Sequence, residues 1–469
     1  MPPKSTTAAV GFVAAALIVL QVMHAIDTYA AAAAGAYALT ENFLYTKEAM
    51  KDYLAALKPG GVMSIQRWLF NPPRENLRLF ATALEAFEEL GYEQPERHII
   101  MLAPIRDWEV LRTGSGRVLG RLLFSPTPFT DDQLSNLRAF VERSGFSSLY
   151  TPGGHEQTPF RGYLEAADRE AFRRSYPYVI KPVTDASPYV FQYYNPFSAS
   201  AYRTSEDWAT SGIYQSSAIT LLAALLASIA LSLLLIILPL GWASWRARRS
   251  AGASAVARSA AGQAGADGTA HLGVRNGVFF ACLGVGFMAL EVPLTQVLAL
   301  YLGHPVYGFS VVLVALLVSS GVGSLLTERV PVARWQACVL IATVLALLTS
   351  FVFPLVHGTI QLGDFSRFTL ALLLVVLCGL PMGFPLALAV RELGRHNASN
   401  VAWAWGVNGA ASVIGSCLVM IVMVFGETRY ALGLGTLCYA VAAAVSHKPS
   451  LQKREASVPV APSAASASG

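Results

Sequence analysis

Between residues 216 and 446 the chain is a succession of nearly uncharged runs, each roughly 20 residues long, the length at which an α-helix crosses the hydrocarbon core of a bilayer. Seven spans are expected, at about 216–239, 277–301, 306–326, 335–356, 368–390, 400–424 and 429–446. With 54% hydrophobic and 13% charged residues among 469, the chain has room for these spans and for one further domain ahead of them. The spans define an all-α transmembrane domain over 214–446, interrupted by an Arg-, Ala-, Gly- and Ser-rich stretch at 245–270 that reads as a disordered linker, and followed by a low-complexity tail at 447–469.

Charge sorts the loops. Arg246, Arg248, Arg249, Arg258 and Arg275, then Arg329 and Arg334, Arg391 and Arg395, and Lys448, Lys453 and Arg454 fall on one side, whereas the opposite short loops carry only Arg367 and Arg429. The positive-inside rule makes the first side cytoplasmic and the protein a multi-pass one, expected in a bacterial inner membrane. That would put residues 24–205 outside, although a membrane anchor at 8–23 and a strand over the same residues compete for that stretch, so the side stays open. The net charge of +5 is accounted for by these loops and calls for no nucleic acid. The bilayer is the partner it implies. Cys282, Cys338, Cys378, Cys417 and Cys438 all lie inside the apolar runs without metal-binding or disulfide spacing, so no metal is expected.

Ahead of the spans, beyond an N-terminal segment at 1–15 that can join 16–23 as an anchor, the pattern is α/β. An apolar run at 17–23 leads to Asp27, a small-residue loop, a helix from about 46 to 57, a Lys58-Pro59-Gly60-Gly61 turn and a strand from Val62. In such strand–helix–strand units ligands bind beyond the carboxyl ends of the strands, where Asp27 stands. A helix follows Asn71-Pro72-Pro73, with Leu77, Leu79, Phe80, Leu84, Phe87 and Leu90 at helical spacing up to Gly91. Strands are expected at 98–102, 108–112 and 117–124, the last two as a hairpin. Thr130 caps a helix reaching about Ser144, 160–176 reads as helical, and 178–194 as extended.

The order of Asp27, Gly35-Ala36, Leu44-Tyr45-Thr46-Lys47-Glu48, Lys58-Pro59-Gly60-Gly61 and Gln66 resembles the second half of the spermidine synthase (polyamine aminopropyltransferase) domain, a relative of the S-adenosylmethionine-dependent methyltransferases, and most closely a membrane-embedded spermidine-synthase-like branch. Thr184-Asp185 and the glycine and proline motifs of the last helices continue it. The resemblance implies a partial methyltransferase-like, Rossmann-like α/β domain over 16–205 followed by a seven-helix transmembrane domain. The glycine-rich strand and turn that would hold the donor have no counterpart before Asp27. A truncated gene model or a lost cofactor site would each produce that pattern. S-adenosylmethionine or its decarboxylated form is therefore implied by the resemblance alone, and a partner would have to supply the missing half of the sheet.

By the same resemblance, Asp27 and His24 occupy the positions of two acids that anchor and deprotonate an amine, a step the chemistry needs because only the neutral amine attacks a sulfonium carbon. Tyr37, Glu41 and Tyr45 would line the pocket and Gln66 would end the next strand. Asp27 and Glu41 serve equally well as helix-capping acids, and Gln66 as a solvent-facing strand residue. In the membrane, Glu291, Gln296 and His304 suggest a polar stripe near Pro293, or, with Asn408, packing contacts between helices. Two functions follow: aminopropyl or methyl transfer from an S-adenosyl donor to a small amine, with this chain inactive alone, or a non-enzymatic transporter or assembly partner with a degenerate α/β binding module.

Overall fold

The computed structural model describes residues 20–24, 41–105, 118–193, 208–239, 241–242, 245–246, 274–396 and 398–447. Asp27, Tyr37, the expected strand at 108–112, the tail beyond 447 and all of the 245–270 linker except its first two residues lie outside them. The chain divides into two compact units, Met1–Ala224 with Ile421–Thr428, and Leu225–Met420 with Arg429–Gly469.

The first unit is built on the expected strand–helix–strand motif. Strand β1, Leu20–His24, pairs in parallel with β2, Val62–Leu69, in a register that sets His24 beside Gln66. Helix α1, Lys47–Ala56, joins them. It starts where the Thr46 hydroxyl accepts the Ala49 N–H at 3.3 Å, a side-chain cap for one of the orphan donors of a helix start. The return to β2 uses Gly60 at φ +77°, a left-handed turn that a side chain would strain. With 20–24 in the sheet, the strand reading of that stretch holds for these residues.

The expected partner of the 117–124 strand, 108–112, lies outside the described residues, and the described sheet adds its strands out of chain order. Its order is β1-β2-β4-β3-β5, where β3 is Ile99–Ala103, β4 is Val118–Phe124 and β5 is Ser147–Tyr150. β4 runs antiparallel between β2 and β3, and β3 is antiparallel to β5, so the antiparallel partners of β4 are β2 and β3. Strand β5 carried no sequence signal: four residues, of which only Leu149 and Tyr150 are buried, give too little alternation to read.

Both faces of the sheet are covered. Ile99, Met101, Leu122 and Phe124 face α2, Glu75–Glu89, with Phe80, Leu84 and Phe87 fully buried against them. Ile100 and Leu102 face the other way, onto Phe129 and Leu134 at the start of α3, Asp131–Ser144. Each buried aromatic of α2 contributes about 1.5–3 kcal/mol on removal from water. Helix α3 carries a complete capping box between Thr130 and Gln133, as the sequence indicates, and ends at Gly145 in the left-handed region. The expected helix at 160–176 is two, α4 at Pro159–Glu165 and α5 at Arg169–Ser175, because the Asp168 carboxylate accepts the N–H groups of Glu170 and Ala171 and starts a new helix. Residues 178–193 form no strand. They are tied down by side chains of α2 instead.

In the second unit six helices are long and apolar enough to cross a membrane: α7 Val274–Leu302, α8 Pro305–Leu326, α9 Arg334–Thr359, α10 Asp364–His396, α11 Ala398–Phe425 and α12 Thr428–Ser446. The expected first span falls on a helix too, α6 at Trp208–Ser232 continued by a π-helical turn at Leu233–Ile237, apolar over Thr220–Ile236. Among the described residues, six of the seven expected spans are helices long and apolar enough to cross. Small residues set the packing, as expected where lipid supplies no hydrophobic drive between helices. A Cβ on Gly323 would overlap the Leu380 carbonyl, and one on Gly383 the Ser320 carbonyl, so α8 and α10 touch backbone to backbone.

Candidate functional site

Three buried arginines prepare the site. Arg67 on β2 pairs with Glu75 at 2.9 Å with both side chains almost wholly buried, and its guanidinium lies 4.5 Å from the Phe191 ring centroid and 5.4 Å from that of Tyr45. Arg74 lies over Phe70, Tyr178 and Tyr193 at 3.9–5.0 Å. Arg78, one turn into α2, donates to the carbonyls of Lys181, Tyr189, Val190 and Gln192 at 2.7–3.0 Å. Burial pushes its guanidinium down to about 10, so it remains charged at neutral pH. These bonds do for 178–193 what a sheet ladder would have done.

The segment so held crosses the start of α1. The Lys47 N–H donates to the Val183 carbonyl at 2.7 Å, the Val183 N–H to the Thr82 hydroxyl at 3.1 Å, and the Asn42 N–H to the Pro188 carbonyl at 2.9 Å. Between these ties lies a tight turn, Thr184 to Ser187, that presents Asp185 to Glu48: the Asp185 N–H donates to Glu48 Oε2 at 3.0 Å. Asp185 is buried. Burial, and then the neighbouring Asp185 carboxylate, raise the Glu48 carboxyl above its ordinary value. Glu41, next to Asn42, is raised further, from 4.5 to about 7, by burial of its carboxyl. Glu48 and Asp185, from two distant stretches of chain, thus meet at the start of α1.

A carboxyl that holds its proton more tightly folded than unfolded subtracts stability as it ionises. Glu41 contributes no penalty below about pH 4.5, an increasing one as pH rises from there to about 7, and a constant one above; Glu48 acts in the same direction. The thermal midpoint of the purified chain in detergent should fall over that window, and Glu41→Gln should flatten the fall. A midpoint with the same pH profile in the variant would rule this assignment out.

The expected site residues sort differently. Glu41 precedes Asn42, whose N–H is tied to the Pro188 carbonyl, and the backbone of His24 sits beside Gln66 at the carboxyl ends of β1 and β2. Gln66 is buried, not solvent-facing, and Tyr45 is a core residue with no exposed surface, packed edge-on to Phe191 at 6.3 Å. The pairing of Glu48 with Asp185 was not singled out in the sequence, although both lie in the motifs that carry the family resemblance. Their separation of 137 positions hid it.

The intramembrane polar residues do not form one stripe. Helix α7 runs through Pro293 and ends at Leu302, before Gly303 at φ +76° and His304, whose Nδ1 accepts the Val306 N–H at 3.2 Å and caps α8. Gln296 is buried and Glu291 half-buried, its carbonyl accepting the Thr295 hydroxyl at 2.8 Å. Asn408 donates to the Phe280 carbonyl at 3.1 Å and bonds α11 to α7, the packing role.

Among the described residues the left-handed glycines, Gly60, Gly91, Gly145, Gly153 and Gly303, follow helices or lie in turns, and none opens a helix directly after the carboxyl end of a strand. They do not fit a pyrophosphate or nucleoside cradle, and no chemical step is assigned to an S-adenosyl donor. No group of three metal-ligating side chains occurs among the described residues. A scan against protein-family models and searches of curated proteins and of solved structures find nothing that matches this chain.

Proposed function

We propose that the α/β unit is a spermidine-synthase-like binding module for a small cationic amine, carried by a multi-pass protein of the bacterial inner membrane. The observation that carries this reading is the juxtaposition of Glu48 and Asp185, the Glu48 carboxylate held by the Asp185 backbone N–H and raised by the nearby Asp185 carboxylate. Two neighbouring carboxylates repel, and a primary ammonium between them relieves the repulsion with charge-assisted hydrogen bonds of about 1.5–3 kcal/mol each.

The transferase is the second reading, and the resemblance of the motifs around α1 favours it. Against it stand the left-handed glycines among the described residues, which offer the donor no cradle.

Calorimetry on the full chain in detergent separates the two. The binding module should take up spermidine or putrescine and not S-adenosylmethionine or its decarboxylated form. Glu48→Gln keeps an oxygen for the Asp185 N–H and should weaken amine binding tenfold or more, with Asp185→Asn acting alike. Binding of the S-adenosyl compound would move the assignment to the transferase, and equal amine affinity in both variants would remove this site altogether.

A further inference from the structure

The five cysteines have no role in the amine site, yet two of them lie on helices in close contact. Helices α7 and α12 run antiparallel, the Arg275 guanidinium near the start of α7 reaching the Val445 and His447 carbonyls at the end of α12. Their backbones approach closely at two glycines. A Cβ on Gly286 would lie 2.8 Å from the Tyr439 ring and 3.4 Å from the Cys438 Cβ, and one on Gly435 would lie 3.2 Å from the Ala289 Cβ. Cys282 stands one turn before Gly286 on that face, so the approach brings Cys438 to within about one helical turn of it.

The other three cysteines are placed differently. Cys417 contacts the Ser228 hydroxyl at 3.6 Å, and Cys338 and Cys378 are buried on α9 and α10. Cys282 and Cys438 both keep partial exposure, on helices that a bilayer would surround. An oxidant able to reach them must therefore dissolve in lipid.

We propose that Cys282 and Cys438 form a redox-active dithiol that closes to a disulfide between α7 and α12, with a membrane-soluble quinone as its electron acceptor. The two S–H bonds break, one S–S bond forms, and the quinone takes both electrons and both protons to become the quinol. Close helix approach is what the short Cα separation of a disulfide requires, and here glycines supply it. The closed form would tether the first and last of the six long helices.

The test uses the full chain in its own membranes. After incubation with a short-chain ubiquinone under nitrogen, the protein is denatured and its free thiols counted by the gel shift of a maleimide-coupled polymer. Five thiols should become three on a band of monomer size, and dithiothreitol should restore five. Cys282→Ser, Cys282→Ala and Cys438→Ser should each keep all four remaining thiols, whereas Cys338→Ser should pass from four to two. Five thiols surviving the quinone overturns the proposal, as does loss of two thiols from either Cys282 variant, which would mean that a pair without Cys282 closes. Closure by copper phenanthroline but not by the quinone overturns the quinone as acceptor.

Discussion

Replacing Arg78 with leucine is expected to unfold the α/β unit at ambient temperature. The side chain is nearly inaccessible and supplies hydrogen bonds to four carbonyls of 181–192, a segment with no strand pairing of its own. Leucine fills much of the volume and leaves those carbonyls buried without these donors, at about 1–3 kcal/mol for each that water cannot reach. Two such losses already approach the 5–15 kcal/mol by which a whole domain is stable. Limited proteolysis in detergent should show cleavage within 178–193 at least a hundredfold faster than in the parent chain. Lysine at 78 should rescue little, because a single ammonium cannot fork across separated carbonyls as the planar guanidinium does. Parent-like protease resistance in Arg78→Leu would mean that other contacts hold the segment. The effect would also reach the acids: once 181–192 is released, Asp185 no longer sits against Glu48, and amine binding should be lost in a variant whose three carboxylates are intact.

The second large effect is expected in the membrane from one methyl group. Gly323→Ala places a Cβ where the Leu380 carbonyl stands, and because the obstacle is backbone, α8 and α10 must separate. Overpacking typically costs 1–3 kcal/mol where side chains can move aside, and a backbone clash belongs at or above about 3 kcal/mol. In lipid that loss has no hydrophobic compensation, since separated helices are solvated equally well by acyl chains. Gly321→Ala, two residues earlier with nothing within 4 Å of its Cβ, is the internal control. The purified Gly323→Ala chain should melt at least 10 °C below the Gly321→Ala chain. Coincident melting curves would show that α8 and α10 do not depend on this contact.

What could be read in advance has a common origin in local chemistry. The start of α1 at Thr46, the Gly60 turn, the capping box at Thr130 and the apolar face of α2 each rest on residues within a few positions of one another, whose effects act before the chain is compact. The spans were legible for the same reason, since one helix satisfies its own backbone and must only be long and apolar. Strand partners were not. β4 lies between β2 and β3 because the sheet buries both faces at once, and no local pattern decides which neighbour an apolar strand takes.

The candidate site divides along the same line. Glu41 and the motif that holds Glu48 were visible as acids ahead of and inside a helix start, and Asp185 as part of a motif that continues the family resemblance. Their convergence was not visible, because it depends on Arg78 gathering four carbonyls from more than a hundred positions away. By itself, then, the sequence determined the division into an α/β half and a membrane half and the elements whose signals are local. Only the tertiary structure decided which acids come together, which glycines bring helix backbones together and which two of five cysteines share a helix contact, since each is a contact between distant segments made once both are packed.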